Sequence, residues 1–195
     1  MLSSLKQKGV SLIEILITTL ILGVGLLGVA ALQVSSLTGN QEGFFTSQAT
    51  SIAEDLASRI RSAKFVTMTA NAPLLHADYI ANYVNADDDP LACDAAAAKA
   101  CFGSADTAQC TIAEIAAYDN WDVCTNAKNT LPNGKVYVVN KPVGSRRLTI
   151  VVDWDSISER KDVGNVKNIN AQCNKDGAGI TGSDVRNCVI VEILP

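Results

Sequence analysis

The sequence predicts an α+β fold: a long amino-terminal helix packed on a small antiparallel sheet and held by disulfides. Three observations predict it. An apolar run fills Val10 to Leu32, and a helical stripe carries it on to Ala63. Three short β-branched runs with turn residues between them follow Leu131. All six cysteines lie beyond residue 92.

The apolar run holds one charge, Glu14, and no proline. As a helix it is roughly 34 Å long, enough to cross a hydrocarbon core of about 30 Å. Lys6 and Lys8 precede it without an acidic neighbour. The positive-inside rule therefore puts the amino terminus in the cytoplasm and the rest across the membrane. An ionised group inside a membrane segment costs roughly 2.5–3.5 kcal/mol at mid-depth, so Glu14 calls for a purpose. Its simplest alternative is snorkelling to the headgroups about one turn away.

Past Leu32 the chain turns polar, and Gly39 and Gly43 mark a softer stretch. Helical periodicity resumes with Phe45, Ala49, Ile52, Leu56, Ile60 and Ala63 on one face. Asp55 and Arg59, four apart with the acid first, form a supporting pair. The expected organisation is a basic segment at 1–9, a transmembrane helix at 10–32, a continuation of that helix beyond the membrane at 33–72 and a globular domain at 73–195.

Within that domain, 74–84 reads as a short helix. Asp87, Asp88 and Asp89 lack the alternation and the late glutamate of a calcium loop and read as a solvated turn. Thr111-Ile112-Ala113-Glu114 is a capping box opening a helix expected to run to about Trp121. Leu131-Pro132-Asn133-Gly134 is a turn signal. Lys135 to Asn140, Arg147 to Trp154 and Cys188 to Leu194 read as strands. Trp121 and Trp154 are expected in the core.

An even number of cysteines after a membrane segment points to an oxidising compartment and up to three disulfides. Metal binding is disfavoured, because no C-x-x-C pair exists and His76 is the only histidine. Cys173 and Cys188 enclose the glycine-rich stretch Gly177, Gly179, Gly182, and a bridge there would pin a loop with little core of its own. Cys93, Cys101, Cys110 and Cys124 allow three pairings, which stay open.

No nucleophile, metal or phosphate-loop motif occurs, so no catalytic residue, metal or cofactor is assigned and no enzymatic activity is expected. The acid pairs Asp119/Asp122 and Asp153/Asp155 read as solvated surface or capping groups rather than catalytic ones. The basic clusters Arg59/Arg61/Lys64, Arg146/Arg147 and Arg160/Lys161 read as solvated surface. With a net charge of −4 there is no electrostatic case for nucleic acid as a partner.

Lys6-Gln7-Lys8-Gly9-Val10-Ser11-Leu12-Ile13-Glu14 resembles the class III leader of type IV prepilins. That resemblance implies a leader at 1–9, a periplasmic location for 33–195, a cut at Gly9–Val10 by prepilin peptidase, methylation of the new amino terminus at Val10, and a role for Glu14 in meeting a neighbour's terminal amine. Val10 departs from the usual phenylalanine. Cutting removes Lys6 and Lys8, which leaves 14 basic side chains against 20 acidic, a net charge of −6. The rival processing, signal peptidase acting after Ala31, would release a soluble periplasmic protein. The apolar run is longer than the 7–15 residues such signals use.

The stretch from Cys110 to Trp121, with Ala117-Tyr118-Asp119-Asn120-Trp121, and the later Leu131–Gly134 turn are similar to the type IV pilus modification proteins, the PilV-type minor pilins. The Cys173–Cys188 loop is similar to the carboxy-terminal disulfide-bounded loop of many pilins. The resemblance implies a minor pilin of a pilin-like fold in the inner membrane and then near the fibre tip. It also implies partners: other minor pilins and the major pilin through helix packing, the inner-membrane assembly machinery, and an adhesin at the tip. A pseudopilin of a type II secretion system would share the leader, Glu14 and the helix.

Overall fold

The computed structural model describes residues 11–69, 80–84, 89–93, 101, 110–140, 146–155, 173 and 186–195. Among them lie two helices, α1 (Leu12–Thr69) and α2 (Ile112–Thr130), and three strands, β1 (Lys135–Val139), β2 (Leu148–Asp155) and β3 (Arg186–Ile193). The fold is α+β, with a long apolar amino-terminal helix, a three-stranded antiparallel sheet and three disulfides.

The chain divides into two units, one ending at Gln41 and the other running from Glu42 to Pro195. In the first, α1 has no packed face: large side chains from Leu12 to Leu37 are all exposed, Leu12 by 89%. It is the one helix among the described residues long and apolar enough to cross a membrane. Helical geometry persists through Gly39 and Gly43, where a softer stretch was expected. Glycine weakens a helix by about 1 kcal/mol per residue, which does not outweigh the many hydrogen bonds of so long a run.

In the second unit α1 is amphipathic. Ala49, Ile52, Ala53, Leu56, Ala57, Ile60 and Ala63 are buried, with Phe45 packed beside them. These follow the three-and-four spacing read from the sequence. Their core continues into one face of the sheet through Val136, Val138, Leu148, Ile150, Val152 and Trp154, and into α2 through Ala116, Val123, Cys124 and Ala127.

Thr111 caps α2. Its hydroxyl accepts from the Glu114 amide at 3.3 Å, and the Glu114 carboxylate accepts from the Thr111 amide at 2.7 Å. The helix runs to Thr130, nine residues past the expected end at Trp121. Trp121 itself is only partly buried, unlike Trp154. After α2, Leu131–Gly134 form the turn into β1. Asn133 takes the left-handed conformation, with φ 48°, which a short polar side chain tolerates. Gly134 is confined there: a Cβ would collide with the Ala127 carbonyl oxygen and stand 2.8 Å from the Leu131 Cβ.

The sheet order is β1-β2-β3. Val136 pairs with Val152, and Val152 with Val189. The Leu91 amide donates to the Val136 carbonyl at 2.8 Å, which lays the Asp89–Cys93 segment beside β1. Alternate residues build a second, smaller cluster on the other face, from Tyr137, Val139, Val151 and Cys173 with Cys188 and Ile190. The strands begin and end within two residues of the sequence expectation. The 74–84 helix expectation falls mostly outside the described residues; of those that are described, Ile80 and Ala81 are helical and 82–84 turn away.

Candidate functional site

Gly9 and Val10, the expected processing residues, lie outside the described residues, as do Lys6, Lys8, His76, Asp87, Asp88 and the glycines of the 177–182 loop. Glu14 is described. It sits in the first turn of α1, its amide donating to the Ser11 carbonyl at 3.0 Å. A carboxylate there complements the positive end of the helix dipole. Its side chain makes no ion pair or hydrogen bond among the described residues. The hydroxyls that follow are internally satisfied: Thr18 donates to the Ile15 carbonyl at 2.8 Å and Thr19 to that of Leu16 at 3.0 Å. Polar side chains are thereby masked along the apolar surface while the Glu14 charge is left bare.

All six cysteines are bonded, Cys93 to Cys124, Cys101 to Cys110 and Cys173 to Cys188, with Cα separations of 5.5, 6.0 and 5.8 Å. The first bridge ties the segment beside β1 to α2. The third ties Cys173 to β3 on the second face of the sheet.

The two acid pairs do not act as free surface groups. Each holds an arginine from another element. Arg59 of α1 reaches Asp122 at 2.7 Å, Asp55 at 3.0 Å and Asp119 at 3.4 Å. Asp119 is only 1% exposed and also accepts from the Tyr83 hydroxyl at 3.0 Å. Burial pushes the Asp119 carboxyl above the ordinary range, and its bonds to Tyr83 and Arg59 offset only part of that. This group joins α1 to α2. The expectation of a solvated Arg59 is therefore corrected: its side chain is 26% exposed and three carboxylates converge on its guanidinium.

On the second face Arg186 of β3 spans three groups. Its Nε donates to Asp153 at 2.5 Å, Nη1 to Asp155 at 2.5 Å and Nη2 to the Asn133 carbonyl at 2.9 Å. Burial again raises the Asp153 carboxyl despite Arg186. The Arg186 guanidinium is held above its ordinary range, because burial, which opposes its charge, is outweighed by the bond to Asp153 and the attraction of Asp153 and Asp155. Tyr137 is pushed up to about 12 by burial and then by the Asp153 charge. The Asp55–Arg59 part of the first network was read from its four-residue spacing. The Asp119 and Asp122 partners and the Arg186 network were not, because an acid pair at close spacing names no partner. Among the described residues no group of three His, Cys, Asp or Glu side chains is placed to hold a metal ion.

What remains as a functional element is the amino-terminal segment, and comparison with known families bears on it directly. Residues 4–30 match the prokaryotic N-terminal methylation motif. The match takes in Gly9, Val10 and Glu14 and stops within the apolar run. Such a motif supports a prepilin-processed protein of the type IV pilin-like or pseudopilin kind. No curated protein and no solved structure matches the chain.

Proposed function

We propose that this protein is a minor pilin, a type IV pilus modification and assembly protein that primes fibre formation and so supports twitching motility and adhesion. Its work is assembly, and it catalyses no reaction. The observation that carries this reading is the lone Glu14 carboxylate at the start of an apolar helix, inside the methylation motif and without a partner among the described residues.

Prepilin peptidase cuts Gly9–Val10 on the cytoplasmic side of the inner membrane and methylates Val10. The domain waits in the periplasm. On extraction the 10–32 helix passes from lipid into a bundle of like helices. Both environments are apolar, so transfer gains little hydrophobic energy, and close packing and polar pairing must favour order. Glu14 pairs with the terminal ammonium of an adjacent pilin, and each charge offsets the other's desolvation.

The partners are other minor pilins, the major pilin, the assembly machinery and an adhesin at the tip. Three disulfides and the Tyr118–Trp121 segment favour a pilus over a secretion pseudopilus. Amino-terminal mass spectrometry should find mature chains starting at methylated Val10. A chain starting at Leu32 would overturn the reading. Deletion should abolish twitching and spare exoprotein secretion, and the reverse pattern would assign the protein to a type II system. Glu14→Ala should still insert in the membrane yet be missing from sheared fibres.

A further inference from the structure

We propose that Asp153 is the base that activates Cys188 for formation of the Cys173–Cys188 disulfide. The strand register sets Lys135, Asp153 and Cys188 in one row across β1, β2 and β3. Side chains at paired positions share a face, with Cβ atoms about 4.5–5.5 Å apart. That face holds Cys173 and Cys188 within one small cluster.

Asp153 is fully buried, and only one of its oxygens is used. Oδ2 accepts from Arg186, while Oδ1 has no hydrogen-bond partner among the described residues. A buried acceptor left empty costs about 1–3 kcal/mol. Exchange of a proton with the neighbouring thiol gives that oxygen a use. The charged and titratable groups around it are Arg186 and Asp155, Lys135 across the ladder, and Tyr137. Once the proton has moved to Asp153, the two cations favour the thiolate that is left. Cys173 is buried and Cys188 partly exposed, so an oxidant meets the Cys188 sulfur first.

In the reduced chain Oδ1 takes the proton from Cys188 Sγ. The thiolate attacks one sulfur of a disulfide oxidant, whose S–S bond breaks and whose other sulfur leaves and is protonated. Cys173, losing its proton to water, then attacks Cys188 Sγ and expels the oxidant's remaining sulfur as a second thiol. The two cysteines lose two electrons and two protons, and the oxidant is reduced to two thiols.

The test uses the reduced full-length chain in detergent, oxidised glutathione as oxidant, and peptide mass spectrometry of the Cys188 adduct after an alkylating quench. Cys101 and Cys110 serve as references in the same molecule. An ordinary thiol is about 3% thiolate at pH 7, so activation is bounded near thirtyfold. Asp153→Asn should slow the Cys188 adduct about tenfold at pH 7 and leave Cys101 unchanged. Asp155→Asn should leave both unchanged. In the wild type the Cys188 rate should stay nearly flat from pH 6 to 8, against the roughly tenfold rise per pH unit of an unassisted thiol. A Cys188 rate that rises like the others, or that is unchanged or faster in Asp153→Asn, would overturn the proposal. The wild-type profile decides even if the variant fails to fold.

Discussion

Replacing Arg59 with methionine keeps the aliphatic stem and removes the guanidinium on which Asp55, Asp119 and Asp122 converge. The Asp55 and Asp122 side chains are 45% and 40% exposed, and their pairs contribute little in water. Asp119 decides the outcome, because it is buried and would keep only the Tyr83 hydroxyl. At 3.4 Å and an effective dielectric of about 20, the gross attraction between Arg59 and Asp119 is about 5 kcal/mol. Freeing the half-buried guanidinium from its own desolvation cancels roughly half, leaving a destabilisation of about 2–3 kcal/mol at pH 7. The effect must depend on pH with a definite sign. Because the folded Asp119 pKa already lies above its unfolded value, its contribution is full below the ordinary carboxylate pKa and is lost as pH rises through the folded value. Removing Arg59 raises that value further and deepens the loss. Urea unfolding of the full chain in detergent, followed by tryptophan fluorescence, should show a smaller penalty at pH 4 than at pH 7. Equal penalties at both pH values, or a change below about 0.5 kcal/mol at pH 7, would refute the electrostatic account.

Leu56→Ala, at a fully buried position on the packed face of α1, should cost about 2–5 kcal/mol in the same unfolding assay. Thr111→Ala removes the hydroxyl half of the capping box and should cost about 1 kcal/mol, with faster amide exchange confined to the first turn of α2. Gly134→Ala drives a methyl into the Ala127 carbonyl and should lower stability by about 1–3 kcal/mol, seen as a fall in Tm without loss of secondary structure by circular dichroism.

The strands were legible because valine and isoleucine cluster in runs of strand length, bounded by Leu131–Gly134 and by glycine or asparagine elsewhere. The packed stripe of α1 was legible for the same local reason, since Ala49 through Ala63 repeat with the helix. The far end of α2 was not. Beyond Trp121 the buried face is carried by Val123, Cys124 and Ala127 among polar residues, too sparse a signal to separate a helix from a loop. Arg59 was misread because its partners Asp119 and Asp122 are some sixty residues away and only tertiary packing brings them near. The bridge from Cys93 to Cys124 depends likewise on the Leu91 segment lying beside β1, a pairing that no local pattern encodes. Glu14 was the opposite case, conspicuous because a charge in a greasy run breaks the rule for its surroundings.

Arg186 grips a carbonyl that lies 53 residues earlier in the chain. Synthesis from the amino terminus makes the Asn133 bend and the Asp153 carboxylate well before the arginine that fastens them. The sheet therefore stays unfastened until its last strand has been made. Until Arg186 is made, only the pairing of β1 with β2 holds the Asn133 bend and the Asp153 carboxylate in place.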